Sequence, residues 1–157
     1  MAASLFIDLS TVDLNRVIAT REQIYARLPH RYEFMQLDAI VYLDKQQALA
    51  IARRDVRADE FWVRGHIPGR PLLPGVLMIE SAAQMASYLV CEFHSYDKFL
   101  GFAAVDNVKF RAAVSPPATM YILMKLVEAR VRRTVADAQG VIDGKLVFEG
   151  RITGMPI

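Results

Sequence analysis

His66 and Glu80 are the two side chains whose types, spacing and settings could do chemistry together. His66 sits in GHIPGRPLLPG, residues 65–75, where three glycines and three prolines leave a loop few conformations and hold an imidazole in one place. Glu80 follows about one and a half turns into an apolar stretch, VLMIESAAQMASYLVCEF, residues 76–93, which reads as a helix. The neighbours Leu77, Ile79 and Ala83 favour a carboxyl that keeps its proton. A neutral imidazole and a protonated carboxylic acid form a base and acid pair. Gln84, one turn further on, is spaced to orient the acid or a substrate hydroxyl. Pro74-Gly75 opens the helix, so the free N–H groups near Gly75 stand at the positive end of its dipole and could polarise a carbonyl. Together these parts suit proton abstraction beside a carbonyl, followed by loss of a hydroxyl.

Each residue also has a plainer reading. A lone histidine in a Gly/Pro loop is commonly a structural hydrogen-bonder. A glutamate in an apolar helix is equally explained by a salt bridge to Arg or Lys. Glu80, Gln84, Ser87 and Cys91 fall at i, i+4, i+7 and i+11, one narrow polar stripe that also fits the wet side of a subunit interface. His30 and His94 read as capping or surface histidines, and Cys91 as core packing. Phe61, Trp62 and Val63 suit either a lipid pocket or ordinary packing. No two His, Cys or acidic residues show metal-ligand spacing on one element.

The surrounding elements must hold these groups. Thr20 to Gln23 has capping-box spacing and opens a short helix to about Arg27, stopped by Pro29. Residues 37–55 read as two strands joined by a turn at Asp44 to Gln47. After the 76–93 helix come three β-rich segments, about 99–111, 119–132 and 141–153. Pro116-Pro117 separates the first two, and Asp143-Gly144 is a turn or bulge in the last. One long buried helix among about five strands predicts an α+β domain whose antiparallel sheet wraps the helix.

The length of 157 residues fits one domain spanning 1–157, with 1–19 as an amphipathic arm. At 54% hydrophobic and 23% charged, the chain is too apolar for disorder, and the surplus suggests surface buried between subunits or around a ligand. A net charge of +2 gives no ground for nucleic-acid binding, and the single cysteine excludes an internal disulfide. Charged residues or prolines interrupt each apolar stretch, so no membrane span is expected. The start lacks the pattern of a secretory signal, and a cytoplasmic location is the expectation.

GHIPGRPLLPGVLMIESAAQ, residues 65–84, closely resembles the signature of the β-hydroxyacyl-acyl carrier protein dehydratases of the FabZ type. LPHRYEFMQLD (28–38), GFAAVDNVKFRAAV (101–114) and VIDGKLVFEGRI (141–152) agree, so the likeness covers about residues 22–153. It implies a hotdog fold and a homodimer, possible further association as a trimer of dimers, and an active site between subunits. The implied reaction is dehydration of (3R)-3-hydroxyacyl-acyl carrier protein to the trans-2-enoyl form in fatty-acid synthesis. By that likeness His66 removes the α-proton, Glu80 protonates the leaving hydroxyl, the Gly75 N–H holds the thioester carbonyl and Gln84 positions Glu80 or the hydroxyl. Glutamate at position 80 favours simple dehydration over the isomerising FabA type, which carries aspartate there.

The chain departs from the pattern at Ile67, where phenylalanine is usual, and at Trp62-Val63-Arg64, in place of Phe-Phe-Gln. The likeness puts Trp62 and Ile67 near the substrate entrance or acyl tunnel, and Arg64 within reach of phosphopantetheine or the carrier. Pro116-Pro117-Ala118 replaces the usual Pro-Gly-Asp. No cofactor is implied beyond the carrier's phosphopantetheine. The acidic carrier protein would land on Arg53, Arg54, Arg57, Arg64, Arg70, Arg111, Arg132 and Arg133. The extra arm is expected on a neighbouring subunit. Two other functions fit the same residues: a different hotdog acyl-thioester enzyme, such as a thioesterase or specialised hydratase, and a non-catalytic acyl-carrier-binding subunit.

Overall fold

Thr20 starts the first helix as its spacing predicts. Its hydroxyl accepts from the Gln23 N–H at 3.3 Å, while the Gln23 side-chain oxygen accepts from the Thr20 N–H at 2.9 Å. In the computed structural model, which describes residues 4–95 and 97–157, this helix is α1, Arg21–Arg27. The strands are β1 (Ala19–Thr20), β2 (Ala39–Asp44), β3 (Leu49–Val56), β4 (Leu100–Phe110), β5 (Ala118–Arg130), β6 (Arg133–Ile142) and β7 (Lys145–Pro156). They form one antiparallel sheet in the order β1-β2-β3-β5-β6-β7-β4, which packs against the long helix α2, Gly75–His94. This is the α+β arrangement expected, with seven strands rather than about five.

The additional strands have physical explanations. β6 has Ala136 and Ala138 alternating with Asp137 and Gln139, so neither β-branched nor aromatic residues mark its middle. Its neighbours hold it: β6 pairs with β5 through Tyr121–Val141 and Leu123–Gln139, and with β7 through Ala138–Gly150. β1 is two residues long and exists by pairing Ala19 with Ile40.

α2 is buried along most of its circumference, including Leu77, Met78, Met85 and Leu89. By length and composition it is apolar enough to cross a membrane, contrary to the sequence expectation that interrupting charges would exclude every stretch. Two-thirds of it lies inside the fold, which makes it the core helix of this sheet.

The sheet is apolar on both faces. Ala50, Ala52, Ile122 and Met124 belong to the core under α2, while the alternating Ile51 and Leu123 join a second cluster. Ile7 lies in that second cluster, with Leu5, Phe6, Leu9, Val12 and Leu14 packed against it. Gln139 clamps the arm: its side-chain oxygen accepts from the Phe6 N–H at 2.8 Å, and its amide donates to Ser4 O at 3.0 Å. Within the chain the arm covers its own sheet. An apolar outer face lies within reach of the arm, and Gln139 supplies the two bonds that dock it.

At the opposite edge lies β4, exposed over most of its length, including Phe102, Val105 and Phe110. Irregular pairing with β7 occurs between Phe102 and Ala104 and between Asp106 and Lys109, where Asn107 has φ 53°.

Candidate active site

A buried ion pair fixes the base of the loop between β3 and α2. Arg54 on β3 donates to both Glu60 carboxylate oxygens, at 3.2 and 2.8 Å, and to the Gln36 side-chain oxygen at 2.8 Å. Trp62 Nε1 donates to Glu60 Oε2 at 2.9 Å, and its ring lies in the core. Burial pushes the Glu60 carboxyl up, but the Arg54 hydrogen bonds, the Arg57 N–H, the Arg54 charge and Trp62 outweigh it and hold it below its ordinary value. Arg54 is thus no part of a landing surface. Glu60, six residues on, draws its guanidinium inward, leaving its side chain 2% exposed. Other arginines counted for that surface are already paired: Arg57 with Asp38, and Arg111 with Glu149.

From Trp62 the loop turns back on itself. The N–H groups of Gly65 and His66 both donate to Trp62 O. Ile67-Pro68-Gly69-Arg70 then closes a turn through the Arg70 N–H and Ile67 O at 3.0 Å. Gly69 at φ 79° takes the left-handed position that a type II turn requires, with proline before it. Ile67 is partly exposed at the start of this turn. Trp62 anchors the loop from inside, so its placement is structural even where the loop meets a ligand.

His66 is exposed, and its Nδ1 lies 2.8 Å from Leu72 O. A carbonyl oxygen can only accept, so Nδ1 carries a proton, and in the neutral ring the free lone pair is then on Nε2. His66, Leu72, Leu73, Gly75, Val76 and Phe110 are among the walls of an open cleft of about 600 Å³. The first turn of α2 has no side-chain cap, since Pro74 stands at that position, and Gly75 lies in the cleft wall. A Cβ on Gly75 would come within 2.8 Å of the Phe110 ring, which itself stacks on Phe148. Glycine is required here for the close approach of that ring.

Glu80 lies in a second group of residues. Gln84 Nε2 donates to Glu80 Oε1 at 2.8 Å and to Phe34 O at 2.8 Å. Gln84 Oε1 accepts from Tyr25 Oη at 2.6 Å and from the Gln36 N–H at 3.2 Å. The Leu37 N–H donates in turn to Tyr25 Oη at 2.8 Å. Burial is the main cause pushing the Tyr25 phenol upward, so it remains a donor. All four bonding positions of the Gln84 amide are filled, and its orientation is settled.

His30 completes this group, with Nε2 3.5 Å from Glu80 Oε1 and its ring in contact with Tyr25 and Phe99. Sequence reasoning took His30 for a capping or surface residue and passed over Tyr25. LPHRYEFMQLD was a segment of family likeness without an assigned role, and that was the available signal for His30. Further along the stripe, Ser87 and Cys91 line a separate cavity of about 390 Å³ with Leu28 and Phe99. Burial pushes the Cys91 thiol up, away from nucleophilic thiolate chemistry.

Within one chain, then, the imidazole and the carboxyl have separate partners: His66 faces the cleft at the start of α2, and Glu80 faces α1 and the 30–36 segment.

Comparison with known proteins places this geometry in context. The FabA-like domain family matches residues 28–151. A 3-hydroxyacyl-[acyl-carrier-protein] dehydratase FabZ of Fusobacterium nucleatum is 34% identical over 131 residues, covering 83% of this chain and 92% of that one. The Thermomicrobium roseum protein of the same name is 35% identical over 133 residues, covering 83% and 87%. Among solved structures, the dehydratase heterocomplex ApeI:P from Xenorhabdus doucetiae shares the fold at TM-score 0.72 and 17% identity, over 85% of this chain and 90% of that one. Zebra fish thioesterase superfamily member 2 shares it at TM-score 0.66 and 11% identity, over 87% and 95%. The shared frame is a hotdog sheet around one helix, and the chain belongs to the FabA-like family, with FabZ-type dehydratases as its relatives.

Proposed function

We propose that this protein removes water from (3R)-3-hydroxyacyl groups on acyl carrier protein, as a FabZ-type dehydratase of fatty-acid synthesis. The observation that carries the reading is the bond between His66 Nδ1 and Leu72 O, which occupies Nδ1 and leaves Nε2 as the nitrogen available at an apolar cleft. In this reading Nε2 takes the proton from C2 of the acyl chain, and the electron pair of that C–H bond forms the C2–C3 double bond. The C3–O bond breaks, and Glu80 supplies the proton with which the hydroxyl departs as water. The Gly75 N–H, at the start of α2, receives the charge that builds on the thioester oxygen. Acid and base side chains suffice for this elimination, so no cofactor enters beyond the carrier's own phosphopantetheine.

Separate placement of His66 and Glu80 in one chain supports a site shared by two. The open edge of β4, with Phe102, Val105 and Phe110 exposed, suits antiparallel pairing with a second copy. His66 of one protomer then meets the acid of its partner across the joined sheets. Trimers of such dimers are the larger assembly in this reading, and light scattering measures it. We place the enzyme in the cytoplasm with its carrier.

Turnover of 3-hydroxybutyryl-acyl carrier protein, followed through the absorbance of the enoyl thioester, tests the proposal. Wild type is expected to turn over, and His66→Ala and Glu80→Gln to lose nearly all activity. Full rates in both variants would discard the assigned roles, and release of free thiol would redirect the reading to thioester hydrolysis.

A further inference from the structure

The carboxyl of Glu80 has two nitrogen neighbours, and only one has been given a part so far. Gln84 Nε2 must donate to Oε1, because the other end of its amide already accepts from Tyr25 and Gln36. Oε1 therefore acts as an acceptor, and the proton that Glu80 delivers resides on Oε2. His30 Nε2 approaches the same Oε1, at 3.5 Å.

The His30 ring is held by its surroundings. Tyr25 from α1 meets it edge-on, with ring centroids 6.4 Å apart, and Phe99 ahead of β4 lies 6.1 Å away. Its Nδ1 is buried and, among the described residues, has no hydrogen-bond partner. A buried N–H without an acceptor is costly, whereas the tautomer protonated at Nε2 puts its N–H on the nitrogen 3.5 Å from Glu80 Oε1, within a short shift of a hydrogen bond. The charged groups that act on the ring are Glu80 from α2 and Arg31 beside it; Arg31 turns its guanidinium to Leu28 O and His30 O. Burial is the largest influence on His30 and lowers it, as does Arg31, against the opposing pull of Glu80.

We propose that His30 is a positioning residue for Glu80, a neutral imidazole whose Nε2–H donates to Oε1 alongside Gln84 as the carboxylate forms. The proposal deepens the dehydratase reading and rests on Glu80 being its acid. His30 gives up no proton in the reaction. Two donors converging on Oε1 keep the transferable proton on Oε2 and stabilise the anion left when that proton goes to the departing hydroxyl. Removing the imidazole leaves the acid weaker and less well aimed.

The test uses the full chain with 3-hydroxybutyryl-acyl carrier protein as substrate, comparing wild type, His30→Phe, His30→Gln and Glu80→Gln. His30→Phe keeps a ring between Tyr25 and Phe99 but no donor. Its kcat is expected to fall about tenfold with KM changed less than about twofold. The alkaline limb of its rate profile moves to higher pH. Glutamine, whose amide can reach the place of Nε2, restores most of the loss. Nitrogen-15 spectra of the wild-type ring, independent of any variant's folding, should show a neutral imidazole protonated at Nε2 near neutral pH. A proton on Nδ1 overturns the proposal, as does a His30→Phe enzyme with unchanged kcat and pH limbs while Glu80→Gln is inactive. Full activity in Glu80→Gln instead removes Glu80 as the acid, a failure of the underlying reading that this series distinguishes.

Discussion

Tyr25 Oη donates to Gln84 Oε1 at 2.6 Å, and with the Gln36 N–H and Phe34 O that bond fixes which end of the Gln84 amide meets Glu80. The phenol also accepts from the Leu37 N–H, so it joins α1, α2 and the approach to β2 at one buried atom. Tyr25→Phe leaves the Leu37 N–H without its acceptor and Gln84 Oε1 with the Gln36 N–H as its donor, without changing the ring. The expected cost is about 1–3 kcal/mol, read from urea unfolding. A lower kcat should accompany it, since the Gln84 amide that donates to Glu80 loses the shortest of its four bonds. A variant as stable and as active as wild type would show the bond to be dispensable.

Mixing two inactive enzymes tests the shared site directly. A dimer of one His66→Ala chain and one Glu80→Gln chain holds one complete site and one doubly defective site. Random exchange of subunits makes half the dimers mixed, so about a quarter of wild-type activity should return. Mixtures that stay inactive after verified exchange would mean that acid and base act within one chain.

Gly75 and Phe110 should show paired behaviour. A methyl group at position 75 meets the Phe110 ring at 2.8 Å, so Gly75→Ala is expected to lower both the melting temperature and kcat. Phe110→Leu removes the colliding ring edge, and the double variant should recover part of the melting temperature. Additive losses in the double variant would place the damage elsewhere.

The ion pair of Arg54 and Glu60 should govern acid stability. Glu60 has a lowered pKa in the folded chain, so its contribution is complete above the ordinary glutamate value of 4.5 and is lost as pH falls through the lowered value. Unfolding free energy is therefore expected to drop as pH goes from about 6 to about 3, and the Arg54→Met/Glu60→Leu pair should flatten that drop. Arg54→Met alone strands a buried carboxylate and should cost ~3–5 kcal/mol near neutral pH. Guanidinium unfolding at several pH values measures both effects.

Much of the fold is legible in the sequence because local chemistry and burial agree. Thr20 and Gln23 announce α1, the Gly/Pro loop announces a fixed turn, and the apolar run after Pro74 announces a core helix. β6 is hidden because its register comes from β5 and β7 rather than from its own alanines. The candidate site is legible where a motif carries it, at His66, Gly75, Glu80 and Gln84. His30 and Tyr25 are not, because their importance arises from contacts with a helix about fifty residues away. Arg54 misleads for a related reason: charge suggests surface until Glu60 is seen beside it.

The arm supplies a final prediction. Deleting residues 1–16 bares Ile51, Leu123 and Val141 on the outer face of the sheet and leaves Gln139 without Ser4 and Phe6. The shortened chain should melt earlier and scatter more light at equal concentration, through association of the exposed apolar patch. Unchanged scattering and melting would make the arm an ornament.

That arm has a bearing on how this molecule can meet others. Back-to-back stacking of two such sheets is closed to it unless the leading segment first peels away. The rim at β4 and the mouth beside His66 are left uncovered by it. A short stretch of chain lying outside the family match thus narrows the routes to assembly without touching a reacting atom.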